Sequence, residues 1–376
     1  MSQTAAVSRR ARIGALEPFR MLAFLGVVCQ HVLGAYLRRP ETSLFEAEAI
    51  GFFFALSKFA VPAFIFLSGA ALFASHYGSL RYVDFLKKRL GSIVLPYLIW
   101  SGIYYIYIPL FGRGSLPFGK REFLFRLATG EVKYHLWYVF LIVQFYLFLP
   151  LIFRLYGALE ARAARMRRPV LLLLIAGALY TALLILCRYA SGVPVFGALL
   201  YTYRGKNILY YLPYFLLGGM LARHEDALLQ ILGRYKAAFL LAGGTSFALI
   251  LAVYLRAVRA GARDVGTMGS FTPRMFFLTL SMLALLYPLC TRLASKARCM
   301  CACAFIGRHS YGAYLSHALV LDVLSWNLPA MPLPVYYTFL FAMTAALSII
   351  VGWIFDLLYG SARKGVSRLP ACARSR

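Results

Sequence analysis

Apolar stretches recur along this chain of 376 residues. Each is about long enough to cross a hydrocarbon layer of ~30 Å, and short polar or basic segments separate them. Read as helices, they place spans near 16–37, 50–74, 90–111, 136–153, 170–190, 208–222, 237–255, 275–291, 305–327 and 335–358. The expected fold class is all-α, a polytopic membrane protein of about ten transmembrane helices. The sixth span, around YYLPYFLLGGML, is short and contains glycine. Residues 1–15 read as a basic cytoplasmic N-terminus, 16–359 as the membrane domain, and 360–376 as a basic cytoplasmic tail. No small-residue cleavage site follows the first apolar run, and Arg20 interrupts it. The run therefore reads as a retained helix, not a signal peptide. Placing both termini inside puts most loop Lys and Arg on the cytoplasmic side, although the external segments 113–133 and 256–274 are basic too.

Composition supports the membrane reading: 61% of residues are hydrophobic and 16% aromatic, against roughly 45–50% apolar in soluble proteins. Net charge is +27, but the cations cluster between apolar spans. That is the pattern of the positive-inside rule, so no nucleic-acid partner is expected. Basic loops can also hold an anionic cosubstrate. Seven cysteines, an odd number, argue against a disulfide framework. Cys299, Cys301 and Cys303 are expected in a cytoplasmic loop as reduced thiols. No His/Cys group has zinc-site spacing, so no metal site is expected.

Ionisable groups inside spans are costly and read as functional by default. Arg20 and His31 lie in the first span. Eleven residues of helix make about three turns, so both project from one face, roughly 16 Å apart along the axis. With the N-terminus inside, Arg20 falls near the cytoplasmic end and His31 in the outer half. Lys58, His135 and Asp322 fall in the outer half too, and His317 near mid-membrane. Each has a plainer reading. Lys58 snorkels or pairs with Asp322; His135 anchors at the interface beside Trp137 and Tyr138; His317 is helix-packing polarity; His309 is solvated next to a loop. Pro62 with Ser68-Gly69 reads as a kink and a close helix contact. Arg81, Lys87, Lys88 and Arg89 form a charge run before the third span that can grip phosphates.

These residues resemble the acyltransferase 3 family of ten-helix membrane acyltransferases. Arg20-(x10)-His31 matches its hallmark; PAFIFLSGAAL at 62–72, KKRLGSIVLPY at 87–97, HLWYVFLIVQFYLFLPL at 135–151 and GRHSYGAYLSHALVL at 307–321 resemble further motifs in the expected order. One departure is that Arg89 is followed three residues later by Ser92, where many relatives have a second arginine. No appended esterase-like domain is expected.

The resemblance implies an O-acyltransferase in the cell (plasma or inner) membrane. It would move an acyl group, acetyl or succinyl, from cytoplasmic acyl-CoA to a hydroxyl of a cell-surface or lipid-linked glycan. Acyl-CoA, acetyl-CoA first among them, is a co-substrate, and no bound cofactor is expected. A glycan synthase or export protein is a natural partner. On this reading His31 is the general base, or forms an acyl-histidine, and Asp322 orients its ring. Arg20 clamps the donor, with Arg81, Lys87, Lys88 and Arg89 on its nucleotide end. Lys58, His135 and His317 contact substrate, and Lys58 or backbone donors stabilise the oxyanion. The rival readings are a transporter or flippase for a polysaccharide or lipid-linked sugar, and a membrane scaffold. Donor consumption with release of a free thiol separates the enzyme from both.

Overall fold

The computed structural model describes residues 3–111, 119–165, 169–189, 193, 203–294, 297–329 and 331–362. In chain order the helices are α1 (Gln3–Leu37), α2 (Leu44–Ser57), α3 (Ala60–His76), α4 (Tyr82–Arg89) and α5 (Leu95–Phe111). They continue as α6 (Lys120–Thr129), α7 (Trp137–Leu147), α8 (Leu149–Arg165), α9 (Pro169–Tyr189) and α10 (Leu212–Arg223). The rest are α11 (Glu225–Arg234), α12 (Lys236–Arg259), α13 (Pro273–Ala294), α14 (Ala297–Asn327) and α15 (Leu333–Ala362). No strand occurs among the described residues. Six helical segments there are long and apolar enough to cross a membrane, or seven if the bent pair α7–α8 counts as one span. The chain is an all-α, multi-pass membrane protein. The other expected spans fall on α10, on the short apolar stretch Leu174–Tyr189, and on α14, which is long but more polar.

Proline sets the breaks. The second expected span is two helices, with Lys58 capping the end of α2 and Pro62 in the first turn of α3. Pro62 has no N–H to donate to the carbonyl of Lys58, four residues back, and its ring crowds that oxygen, so the helix breaks there. The fourth span bends by 64° between α7 and α8, immediately before Pro150, for the same reason. Ahead of Pro96, Leu90–Val94 widens to a π-helical turn. The CxCxC run does not lie in a loop: Cys301 is exposed and Cys303 buried on α14. The polar sequence there contains no glycine or proline to stop a helix.

Two compact units divide the chain: Met1–Phe64 with Tyr235–Met268 and Thr279–Arg376, and Ile65–Arg234 with Gly269–Leu278. In the first, α1 and α2 form an antiparallel hairpin. Gly26 lies where a Cβ would come within 2.9 Å of the Ala60 Cβ, and Gln30 donates to the Ser57 carbonyl at 2.6 Å. α14 and α15 pack antiparallel through small residues. The backbones of Gly312 and Gly352 touch, so that a Cβ on Gly312 would lie 2.8 Å from the Gly352 Cα. One turn on, Ser316 donates to the Ser348 carbonyl at 3.3 Å. Small residues four apart let two helix backbones meet, which is how packing is won where lipid removes the hydrophobic drive.

In the second unit, α3 crosses α10 in the same way. A Cβ on Gly69 would strike the Phe215 carbonyl, and one on Gly218 the Phe66 carbonyl. The Ser-Gly pair thus makes the expected close contact. Phe73, Phe153, Tyr156 and Phe215 fill the neighbouring core with edge-to-face rings. Below them, the Glu160 carboxylate meets His224 at 2.6 Å and Arg223 at 3.4 Å.

Candidate functional site

Arg20 and His31 stand on one unbroken helix, α1, so the expected stripe exists. Its two ends meet α14. At one end the Glu17 carboxylate rests against Gly307, where any Cβ would collide with it. At the other the His31 ring lies 5.1 Å from that of His317, tilted by 31°. Contacts that advance together on both helices mean that α1 and α14 run parallel. A glycine at 307 is needed because a carboxylate packs directly onto the helix backbone.

His31 is half-buried and His317 wholly buried. The Nδ1 of His317 lies 2.6 Å from the Tyr314 carbonyl. A carbonyl can only accept, so Nδ1 carries a proton. The His317 ring is thereby held in one orientation beside the His31 ring. Asp322, the carboxylate expected to orient His31, follows five positions later on α14. That rotates it by about 140° from His317 on an ideal helix, so the two side chains leave α14 on different sides.

Arg20 is not an isolated cation. Its Nη1 is 2.7 Å from the Glu17 Oε1, in a part-buried pair. The pair was legible as Glu17-Pro-Phe-Arg20, an i,i+3 spacing on a helix. Beyond His31, directly after the last residue of α1, comes Arg38. Its guanidinium folds back, with Nη1 3.8 Å from where a Cβ of Gly34 would sit, and its charge acts on His31. Lys58 sits at the α2–α3 break with Nζ 5.1 Å over the Phe54 ring. The carboxylate that acts on its charge is that of Asp264.

The remaining expected site residues belong to the second unit. His135, in the turn before α7, is 3% exposed and meets the rings of Tyr104 and Tyr134 edge-on at 5.5 Å each. It is a core side chain and not an interfacial anchor. On α4, Lys87 and Lys88 are exposed, and Arg81 makes a solvent-facing pair with Asp84 at 2.8 Å. Arg89 is half-buried, its guanidinium over Phe85 and Tyr146 at 5.4 and 5.5 Å. Back in the first unit, His309 is buried and not solvated, its Nδ1 2.6 Å from Asp356 Oδ2 on α15. Only the packing of α14 on α15 supplies that partner, 47 residues away in sequence.

A model of the acyltransferase 3 acyltransferase domain matches residues 13–353. The chain belongs to the acyltransferase 3 family. It is also similar to the succinoglycan biosynthesis protein ExoH of Rhizobium meliloti (strain 1021), at 29% identity over 109 residues, covering 27% of this chain and 28% of that relative. The matched region thus spans little more than a quarter of the relative's length. No solved structure matches. The matched family region contains Arg20, His31, Lys58, the α4 cations, His135, His317 and Asp322.

Proposed function

We propose that this acyltransferase 3 protein moves an acyl group, acetyl or succinyl, from cytoplasmic acyl-CoA to a hydroxyl of a cell-surface or lipid-linked glycan, within the cell membrane. The observation that carries the reading is the His31–His317 pair on the face of α1 that also bears Arg20. Similarity to a protein of succinoglycan biosynthesis supports a polysaccharide acceptor.

In this reading the Arg81, Lys87, Lys88 and Arg89 cations take the phosphates of the donor. Arg20, held by Glu17, is assigned to the pantetheine arm. His31 removes the proton of the acceptor hydroxyl as its oxygen attacks the thioester carbonyl. The C–O bond forms, a tetrahedral oxyanion follows, and Lys58 or backbone N–H groups stabilise it. The C–S bond then breaks, the thiolate takes the proton held by His31, and an O-acyl ester and free coenzyme A leave. A base that starts near neutrality suits both transfers. His317, whose ring lies against that of His31, is the group we assign to position it, in place of Asp322.

Mass analysis of surface glycan from a deletion strain tests this. Loss of a mass increment of about 42 Da (acetyl) or 100 Da (succinyl) on sugar hydroxyls is expected, since an ester of that acyl group is the product. Purified protein in liposomes should release free thiol from acyl-CoA only with acceptor present. Unchanged glycan mass together with no thiol release rejects the proposal.

A further inference from the structure

Two adjacent arginines follow α1, and the fold treats them differently. Arg39 is spent on packing: its guanidinium carbon lies 4.1 Å above the Tyr336 ring and 5.7 Å from that of Tyr36. Tyr36 in turn donates to Glu46 at 2.6 Å, which also accepts from the backbone N–H of Leu333 at 3.1 Å. Thr42 donates to the Tyr36 carbonyl at 2.9 Å. The end of α1 and the starts of α2 and α15 are thereby tied at one point, and the Glu46 carboxylate is consumed by the tie.

Arg38 takes no part in that structure. It is exposed, and no carboxylate pairs with it among the described residues. Its guanidinium turns back along the helix to the level of Gly34, one turn from His31. The comparison with Arg20 is direct: the cation on one side of His31 is neutralised by Glu17, and the cation on the other is not. A guanidinium presents a planar fork suited to a carboxylate or phosphate.

We propose that Arg38 is a specificity residue that binds an anionic group, a carboxylate or a phosphate, carried by the acceptor beside the hydroxyl that His31 activates. The inference rests on the acyl-transfer reading above. It makes the preferred acceptor an acidic glycan or a phosphate-linked one, selected by a charge about one helical turn from the base.

The test uses full-length protein in liposomes with unacylated surface polysaccharide from a deletion strain. The acceptor is supplied untreated, carboxyl-reduced, or freed of phosphate with hydrofluoric acid. Removing the recognised anion should raise the half-saturating acceptor concentration of wild-type protein by about 10–100-fold, the size of a charged hydrogen bond. The treatment that does so tells carboxylate from phosphate. Arg38→Gln should raise it by the same factor for untreated acceptor, with acyl-CoA affinity unchanged, and have little effect on the half-saturating concentration of the stripped acceptor. Arg38→Lys should recover part of the loss, keeping the charge without the fork. Equal losses on all three acceptors, or none on any, overturn the inference. Absence of thiol release by wild-type protein with any acceptor is a separate result, which overturns the acyl-transfer reading itself.

Discussion

Helix α14 presents two seams of opposite character. Toward α15 it offers Gly312 and Ser316 against Ser348 and Gly352, and backbone meets backbone, with the His309–Asp356 pair about a turn away. Toward α1 it offers Gly307 and His317 against Glu17 and His31, and the contact is made by charged and titratable groups. Both seams use glycine, but for different ends. In one it lets helices touch; in the other it makes room for a carboxylate. The first seam lowers the free energy of the fold through close packing. The second keeps polar groups inside an apolar layer, where they persist only if function or pairing compensates.

The largest effect on stability should therefore come from the α14–α15 seam. A Cβ at Gly352 would sit 2.6 Å from the Ala313 nitrogen and 2.9 Å from the His309 carbonyl. These are backbone atoms that no rotamer can move. Gly352→Leu should force the helices apart, at an overpacking cost of about 1–3 kcal/mol or more. The readout is loss of the monodisperse peak of detergent-extracted protein and a lowered melting temperature. A Gly352→Leu protein that extracts and melts like wild type would show that the seam does not hold the fold.

On the polar seam the expected effect is catalytic. His317→Ala should leave extraction and melting nearly unchanged but lower kcat by up to ~100-fold, the scale of misplacing a catalytic group, with acyl-CoA affinity unaltered. His317→Gln keeps an N–H donor and an acceptor and should recover part of the rate. If His317→Ala unfolds the protein while Gln restores only stability, the seam is structural and the contrast between the two faces disappears.

Much of the polar seam was readable in advance, because helical period places residues eleven apart on one face whatever the fold. That put Arg20 and His31 together correctly. A further member of the stripe obeys the same arithmetic, Glu17 at i−3 from Arg20. It lies at a span edge, where charge reads as ordinary loop polarity. Partner choice across helices was not readable. Asp322 looks as suitable as His317 in sequence, and only the rotation of α14 against α1 separates them. His309 illustrates the same gap, since its solvated appearance depends on ignoring Asp356 on another helix. The break at Lys58 was half legible: Pro62 announces a kink, and the missing N–H places it four residues upstream. The helical CxCxC run was misread because polarity alone does not stop a helix.

The central claim is that His31 is the base that activates the acceptor. The most direct measurement is acyl transfer by His31→Ala protein in liposomes, with thiol release and glycan mass followed together against wild type. Loss of a general base should lower transfer by about 10²–10⁴-fold, while the variant extracts, melts and binds acyl-CoA as wild type does. Wild-type transfer by the folded variant would contradict the account.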